Sequence, residues 1–235
     1  IYSSYIKQRK LSEMKTDFIN SMSHELKTPL ATIDLSIENL KLAEPSKRMS
    51  FYTIIKEENI RMQQYIDSIL SIVELENPDF DLDKESTDIT NWLNNAIAQM
   101  KPLVSRSNGQ LNLEIEENLE PAHIDQIHMS NVLINLVDNA LKYCTNQPEL
   151  SLKVTSTNQF LFLALTDNGI GISAENLPYV FDKLYRVTQG NIYNVKGTGI
   201  GLHYCKQVIE LHNGLISAKS TLNTGSTFTC KIPLK

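Results

Sequence analysis

The sequence predicts a multidomain chain, with an all-α helical hairpin followed by an α/β sandwich. Two observations support this prediction. Across residues 1–76, apolar side chains recur at steps of three and four, which is the period of an amphipathic helix. Across residues 84–235, helical patterns alternate with short strand patterns, and the acidic, proline-containing stretch at 77–83 has the composition of an interdomain linker.

The first helix is predicted from the beginning of the sequence to about Lys41. Its apolar stripe comprises Leu11, Met14, Phe18, Met22, Leu26, Leu30, Ile33, Ile37 and Leu40. Because successive residues are about 100° apart around a helix, His24 lies roughly opposite this stripe and should face solvent. Glu25 follows directly, and Pro29, which has no N–H, should bend the helix nearby. His24 is therefore a candidate reactive imidazole, with an ordinary polar surface residue as the alternative.

A second helix is predicted after a break at residues 43–46, with Ser46 as its N-cap. It carries a heptad seam whose members are Tyr52, Ile55, Asn59, Met62, Ile66, Ile69 and Val73. Two helices with a short connection form an antiparallel hairpin, and a lone hairpin leaves much of its apolar surface in water. Pairing with a second copy would complete a four-helix bundle, so the sequence predicts a homodimer.

Charge, cysteine spacing and apolar content limit the partners and the cellular location that we expect for this protein. The net charge of −5 provides no basic field, so we expect no nucleic-acid partner. The three cysteines are widely spaced, which argues against a disulfide framework or a zinc site. No apolar run is long enough to span a membrane. Lys7, Arg9 and Lys10 nevertheless follow tyrosines in a pattern typical of the cytoplasmic flank of a membrane helix, so we expect membrane attachment through a preceding segment.

The elements of the second domain follow from periodicity and capping. Helices are predicted from Asp88, near the cap, to about Ser105, and at 125–143 and 201–212. Strands are predicted at 111–116, 149–155, 160–166, 215–218 and 227–232. These elements predict a largely antiparallel or mixed sheet packed against helices.

The predicted helix at 125–143 has two distinct faces. Its buried side comprises Met129, Val132, Leu133, Leu136, Val137 and Ala140. Its polar face comprises Asn131, Asn135, Asn139 and Lys142. Asparagine is a poor helix former, so three along one face suggest amide oxygens directed at a ligand such as a cation. A solvated face is the alternative.

Two glycine-containing turns are candidates for ligand contact. Asp167-Asn168-Gly169-Ile170-Gly171 follows an apolar strand, whose end can hold the carboxylate rigidly while the glycines let backbone approach a ligand. Gly197-Thr198-Gly199-Ile200-Gly201-Leu202 opens a helix, where unpaired N–H groups and the helix dipole favour a phosphate.

Five motifs in order resemble those of the sensor histidine kinases of two-component systems. They are FINSMSHELKTPL at 18–30 (H box), NLVDNALKY at 135–143 (N box), DNGIG at 167–171 (G1 box), FDKLYR at 181–186 (F box) and GTGIGL at 197–202 (G2 box). The F box departs from the family pattern, because Leu184 stands where an aromatic residue is common. With GSTFT at 225–229, the resemblance covers almost the whole chain.

The resemblance implies a helical dimerisation and histidine phosphotransfer domain at 1–76 and an ATP-binding domain of the GHKL ATPase type at 84–235. It implies autophosphorylation of His24 by ATP, with Glu25 bonded to the other ring N–H, and transfer to an aspartate of a response-regulator receiver domain. Thr28 would position water for phosphatase activity on the phosphorylated regulator, or would be an ordinary helix residue.

The resemblance also implies ATP and Mg²⁺ as cofactors. Asn139 would be the Mg²⁺ ligand, with Asn135 and Lys142 at the phosphates and Tyr143 against the adenine. Asp167 would accept a hydrogen bond from the adenine amino group and would repel the oxygen of guanine. The remaining candidate contacts are Gly169, Gly171, Tyr185, Arg186, Lys196, Gly197, Thr198, Gly199, Gly201 and Leu202. Of these, Arg186 and Lys196 have plain surface charge as an equal alternative.

Two other functions compete with the kinase interpretation. An ATPase of the gyrase and Hsp90 class would leave His24 unused and release free phosphate. A non-enzymatic signalling scaffold would require damaged nucleotide motifs, whereas the motifs here look intact.

Overall fold

The structure is a computed structural model that describes residues 20, 22–23, 26–77, 79–183, 185–186 and 199–235. It contains two compact units. The first comprises the described residues up to Glu74 together with 199–200, and the second comprises the other described residues, from Leu75 onward. Among the helices of the described residues, none combines the length and apolar character needed to cross a bilayer.

The first unit contains two helices. Helix α1 is described over residues 26–42, and helix α2 runs Pro45–Leu75. Because α2 begins at Pro45, the cap position falls on Glu44, and the prediction of Ser46 as the N-cap is wrong. Proline suits the first helical position, since the N–H that it lacks would have no intrahelical partner there.

The predicted seam of α2 is divided between two sides of the helix. Three of its members are half-buried, namely Ile55, Met62 and Ile69. The other four are exposed and recur at every seventh residue, namely Tyr52, Asn59, Ile66 and Val73. A single chain therefore leaves a row of mainly apolar side chains in water.

The second unit contains a five-stranded mixed sheet with the order β2-β4-β5-β7-β6. Its strands are β2 (Gln110–Ile115), β4 (Glu149–Ser156), β5 (Phe160–Asp167), β6 (Leu215–Thr221) and β7 (Gly225–Pro233). Strand β2 pairs with β4 in parallel, and the other neighbours pair antiparallel. This confirms the predicted sheet, with each strand within three residues of its predicted bounds.

Three helices accompany the sheet, namely α3 (Ile89–Arg106), α4 (Gln126–Tyr143) and α5 (Gly201–Leu211). Helix α4 packs against both α3 and α5. Asp88 caps α3 by accepting the Asn91 N–H at 2.9 Å, as predicted. The buried residues of α4 are the six predicted from its periodicity. Their burial turns the opposite, asparagine-bearing face of α4 away from the core.

Three short elements had no counterpart in the sequence predictions. Strands β1 (Glu85–Thr87) and β3 (Ala122–Ile124) form an antiparallel pair, and Leu177–Tyr179 is a 3₁₀ turn. Three residues are too few to show an apolar period, so no local pattern predicts such elements.

The predicted linker at 77–83 makes specific contacts within the second unit. Leu82 is buried, and the Asp83 N–H donates to Asp125 Oδ2 at 3.1 Å. Phe80 lies edge-on to the His128 ring, with centroids 5.7 Å apart. The segment from Phe80 to Asp83 is thus attached to the start of α4.

A buried histidine lies at the same place. The Asp125 N–H donates to His212 Nε2 at 3.0 Å, and His212 Nδ1 donates to the Val208 carbonyl at 2.7 Å. Because one ring nitrogen accepts and the other donates, the ring is neutral. Burial is the main cause that lowers the pKa of His212, assisted by the charges of Lys84 and His128. The Val208 bond and the Asp125 charge act in the opposite direction.

Candidate nucleotide-binding site

A cavity of about 360 Å³ lies in the second unit, a size within the usual range for small-molecule sites. Side chains from α4, the turn after β5, the Leu177–Tyr179 region and the β6–β7 turn surround it. The lining residues are Asn139, Tyr143, Asp167, Ile170, Gly171, Ile172, Ser173, Asn176, Val180, Tyr185, Arg186, Leu202, Leu222 and Ser226. Most of the wall is apolar, with a few polar groups placed within it.

The cavity brings together seven of the predicted nucleotide contacts, namely Asn139, Tyr143, Asp167, Gly171, Tyr185, Arg186 and Leu202. Five others are described but do not line it, namely Asn135, Lys142, Gly169, Gly199 and Gly201. The rest of the predicted site lies outside the described residues, namely His24, Glu25, Lys196, Gly197 and Thr198. Thr28 is exposed on α1, and its carbonyl accepts the Thr32 hydroxyl at 3.0 Å.

Asp167 ends strand β5 and is held from two directions. Its Oδ1 accepts the Gly169 N–H at 2.8 Å and the Ser226 N–H at 3.2 Å. Burial raises the pKa of Asp167, and these two hydrogen bonds oppose the rise. Neither bond uses Oδ2, so that oxygen remains to accept a donor from a ligand in the cavity.

The turn after Asp167 requires glycine for steric reasons. Gly171 has φ of 68°, and a Cβ there would lie 2.1 Å from the Thr221 carbonyl oxygen. A Cβ on Gly169 would lie 2.9 Å from the Tyr143 carbonyl oxygen, which accepts the Ile170 N–H at 3.0 Å. The turn is therefore packed directly against the end of α4 and the end of β6.

The polar face of α4 places its members differently. Asn139 is half-buried at the cavity wall. Asn135 lies against the first residue of α5, because its Oδ1 would be 2.8 Å from a Cβ on Gly201. Lys142 is exposed and forms an ion pair with Asp138 at 2.5 Å. Of these three residues, Asn139 is the one that lines the cavity.

Mg²⁺ fits this donor. It prefers oxygen ligands, and in nucleotide sites it takes few protein ligands together with phosphate oxygens. The Asn139 side chain has one such oxygen and lines the cavity.

Two tyrosines and an arginine also line the cavity, namely Tyr143, Tyr185 and Arg186. The Tyr185 hydroxyl donates to Asn176 Oδ1 at 2.7 Å, and the Tyr179 and Tyr185 ring centroids are 5.6 Å apart. Burial raises the pKa of Tyr143, while the charge of Arg186 acts to lower it. Arg186 therefore lies close enough to Tyr143 to bring positive charge to the cavity.

Seven of the fourteen lining residues were not among the predicted contacts, namely Ile170, Ile172, Ser173, Asn176, Val180, Leu222 and Ser226. Ser226 belongs to the GSTFT ending and pairs in register with Asp167 across β5 and β7, so the motif contained a usable signal. Asn176 and Leu222 lie in connecting segments whose residue types carry no comparable signal.

Comparisons with known proteins define the class. Residues 124–235 match the family model described as histidine kinase-, DNA gyrase B-, and HSP90-like ATPase. Residues 14–78 match the His Kinase A (phospho-acceptor) domain. The chain thus joins the two domains of a protein-histidine kinase.

Individual relatives then identify the family. The chain is 38% identical over 242 residues to Sensor protein RprX of Bacteroides fragilis (strain YCH46), covering 100% of this chain and 47% of RprX. It is 31% identical over 232 residues to Sensor protein SrrB of Staphylococcus aureus, covering 96% of this chain and 39% of SrrB. The chain belongs to the sensor histidine kinase family, and it spans less than half the length of these two relatives.

Solved structures share the fold. Acinetobacter baumannii histidine kinase AdeS matches with a TM-score of 0.70 at 20% identity, covering 90% of this chain and 98% of AdeS. Histidine kinase ThkA, in complex with response regulator protein TrrA, matches with a TM-score of 0.71 at 17% identity, covering 100% of this chain and 66% of ThkA. The predicted fold class and family are confirmed.

Proposed function

We propose that this chain binds ATP with Mg²⁺, transfers the γ-phosphoryl group to His24 and passes it to an aspartate of a response-regulator receiver domain. The observation that carries the proposal is the cavity where Asp167, Asn139 and Tyr143 meet. The same chain contains His24 within the segment matched by the phospho-acceptor model. A nucleotide site and a phosphate acceptor are thus both encoded.

The adenine end of the cavity is assigned to Asp167. Its Oδ1 is engaged by two backbone N–H groups, so Oδ2 accepts the amino group of the base. A carboxylate cannot donate and would face the oxygen of guanine unfavourably, so the site prefers ATP to GTP. Tyr143 lies against the base and excludes water from one side.

The phosphate end is assigned to Asn139 and Arg186. The amide oxygen of Asn139 would hold Mg²⁺, which supplies charge neutralisation of the phosphate oxygens when bound. Arg186, which also lines the cavity, adds a positive charge. Lys142 reaches the phosphates only by exchanging its ion pair with Asp138 for the nucleotide, an exposed pair that costs little to break.

The acceptor is assigned to the neutral imidazole of His24. A ring nitrogen forms a bond to the γ-phosphorus while the bond between that phosphorus and the bridging oxygen breaks, and ADP leaves with the electron pair. Glu25 accepts the other ring N–H, fixes the tautomer and offsets the positive charge that develops on the ring. Most of the rate enhancement comes from alignment, because phosphoryl transfer needs little covalent chemistry from protein.

The partners follow from the first unit. The exposed row on α2 supports a homodimer, since a second copy would cover it. ThkA was solved in complex with a response regulator, and we extend that type of partner to this chain. We assign to Thr28 the positioning of water during dephosphorylation of the regulator. We also propose attachment to the bacterial inner membrane, with these residues on the cytoplasmic side, from the Tyr and Lys pattern of the first ten residues.

Incubation with γ-labelled ATP tests the proposal. Wild type and His123→Gln should acquire acid-labile, alkali-stable label, whereas His24→Gln should acquire none. His123 is a matched control because it is an exposed histidine on β3 and belongs to the second unit, outside residues 14–78 of the phospho-acceptor match. Undiminished label on His24→Gln would refute the assignment, and free phosphate without labelled protein would favour the ATPase alternative.

A further inference from the structure

Ser220 makes three hydrogen bonds at the edge of the cavity without lining it. It lies near the end of β6, and its Oγ is 2.7 Å from the Ile172 N, 2.9 Å from the Gly225 carbonyl oxygen and 2.9 Å from Ser226 Oγ. Ile172 and Ser226 are both lining residues. One hydroxyl therefore connects two parts of the cavity wall.

The directions of these bonds follow from the groups involved. An N–H can only donate and a carbonyl can only accept, so Ser220 accepts from Ile172 and donates its one proton to Gly225. Its bond with Ser226 must then be donated by Ser226. Ser220 thus uses its donor and both acceptor positions, and no other orientation satisfies all three neighbours.

The hydrogen bonds of Ser220 continue through Ser226 to the Asp167 carboxylate, which is proposed to bind the base. The Ser226 N–H donates to Asp167 Oδ1, so Ile172, Ser220, Ser226 and Asp167 form a continuous series. The backbone supports the same arrangement, because Gly225 has φ of 132° and a Cβ there would lie 2.0 Å from the Asp167 carbonyl oxygen.

The β6–β7 turn is also joined to the glycine turn beside Ser220. The Asn223 N–H donates to the Ile170 carbonyl at 2.7 Å. With Ser220 on one side and Asn223 on the other, the two turns form one wall.

We propose that Ser220 is a positioning residue for nucleotide binding. Its hydroxyl fixes the separation between the Ile172 wall and the Ser226–Asp167 pair, so that Asp167 Oδ2 is in place before a base enters. The inference rests on the proposed function, because it takes the ligand to be ATP. Without the hydroxyl, the Ile172 N–H and the Ser226 hydroxyl lose their partner and the wall relaxes. Binding must then restore the arrangement, which lowers affinity.

The test is calorimetric binding of Mg-ATP and Mg-GTP to the full chain. Ser220→Ala should raise the Kd for ATP by about three- to tenfold and reduce the ratio of ATP to GTP affinity, since the loss falls on preorganisation of the base contact. Ser220→Thr keeps the hydroxyl and should stay within about twofold of wild type. Ser217→Ala removes an exposed hydroxyl from the same strand and should also match wild type.

The possible failures are distinguishable. If wild type binds no ATP, the proposed function fails, and this inference fails with it. If wild type binds ATP and Ser220→Ala binds both nucleotides as wild type does, only the role of Ser220 is refuted. Equal losses in Ser220→Ala and Ser217→Ala would also refute it. If Ser220→Ala does not fold, Ser220→Cys replaces it: an intermediate ATP affinity supports the role, and wild-type affinity overturns it.

Discussion

Replacement of His212 by leucine should destabilise the second unit at neutral pH. Leucine has a similar volume, so the main loss is the acceptor for the buried Asp125 N–H, which His212 Nε2 provides at 3.0 Å. An unsatisfied buried donor costs about 1–3 kcal/mol. For a chain of this size that corresponds to a fall in Tm of about 2–12 °C.

The same substitution should have a smaller effect in acid. Because the pKa of His212 is lowered in the folded state from its ordinary value of 6.5, the unfolded chain binds more protons between the two values. The stability due to neutral His212 is therefore complete above about pH 6.5 and is lost as the pH falls toward the folded pKa. His212→Leu has no histidine at this position to protonate, so it does not lose this stability in acid. The difference in free energy of unfolding between wild type and His212→Leu should therefore become smaller at low pH.

The chain offers a local probe for this measurement. Trp92 is its single tryptophan, it is 2% exposed on α3, and its Nε1 donates to Ser130 Oγ of α4 at 2.9 Å. Its fluorescence therefore reports unfolding of the second unit. Urea titrations at pH 7.5 and 5.5 would compare wild type, His212→Leu and the exposed-site control His123→Gln. Equal urea midpoints for wild type and His212→Leu at pH 7.5 would refute the reasoning. A difference between their midpoints that is as large at pH 5.5 as at pH 7.5 would also refute it.

Three further substitutions test the cavity and the acceptor helix. Asp167→Asn should weaken ATP binding by about tenfold. It should also reduce the preference for ATP over GTP, because the asparagine amide can turn its N–H donor toward the guanine oxygen. Calorimetry with both nucleotides measures the two affinities. Gly171→Ala should destabilise the second unit by at least about 1 kcal/mol in urea, since φ is 68° and the Cβ would meet Thr221; an unchanged midpoint would contradict the geometry. Thr28→Ala should leave labelling of the kinase intact and slow dephosphorylation of the regulator, and loss of both activities would indicate a folding defect.

Apolar periodicity and capping residues were sufficient to predict the long helices and strands from the sequence. Helix α4 was predicted with its complete buried side because 18 residues show several turns of the apolar period. Asp125, which the prediction placed as the first helical residue, is its N-cap. Strands β4 and β5 were predicted to within one residue of their bounds, and burial alternates along most of each strand. Strands β1 and β3 form only through pairing with each other, so neither has a pattern that can be found locally.

The site was predictable to the extent that its residues belong to one segment. Asp167 could be inferred from a strand end followed by glycines. Ser226 reaches Asp167 only through the register of β5 and β7, a contact between distant parts of the chain. Helical spacing placed Lys142 on the face of Asn139, and the four-residue step from Asp138 to Lys142 was an unused signal for their ion pair. The division of the α2 seam between exposed and half-buried members likewise depends on packing outside the helix itself.

The hydrogen bond from Asp83 to Asp125 connects residue 83 to the start of helix α4. The carboxylate of Asp125 caps the helix with one oxygen and tethers the incoming chain with the other. A pull on Asp83 must therefore either rupture that tether or carry the start of α4 with it. The helix is a rod of about 27 Å, and its far end bears Asn139 and Tyr143. The Asp83 hydrogen bond and the cavity therefore lie at opposite ends of one helix.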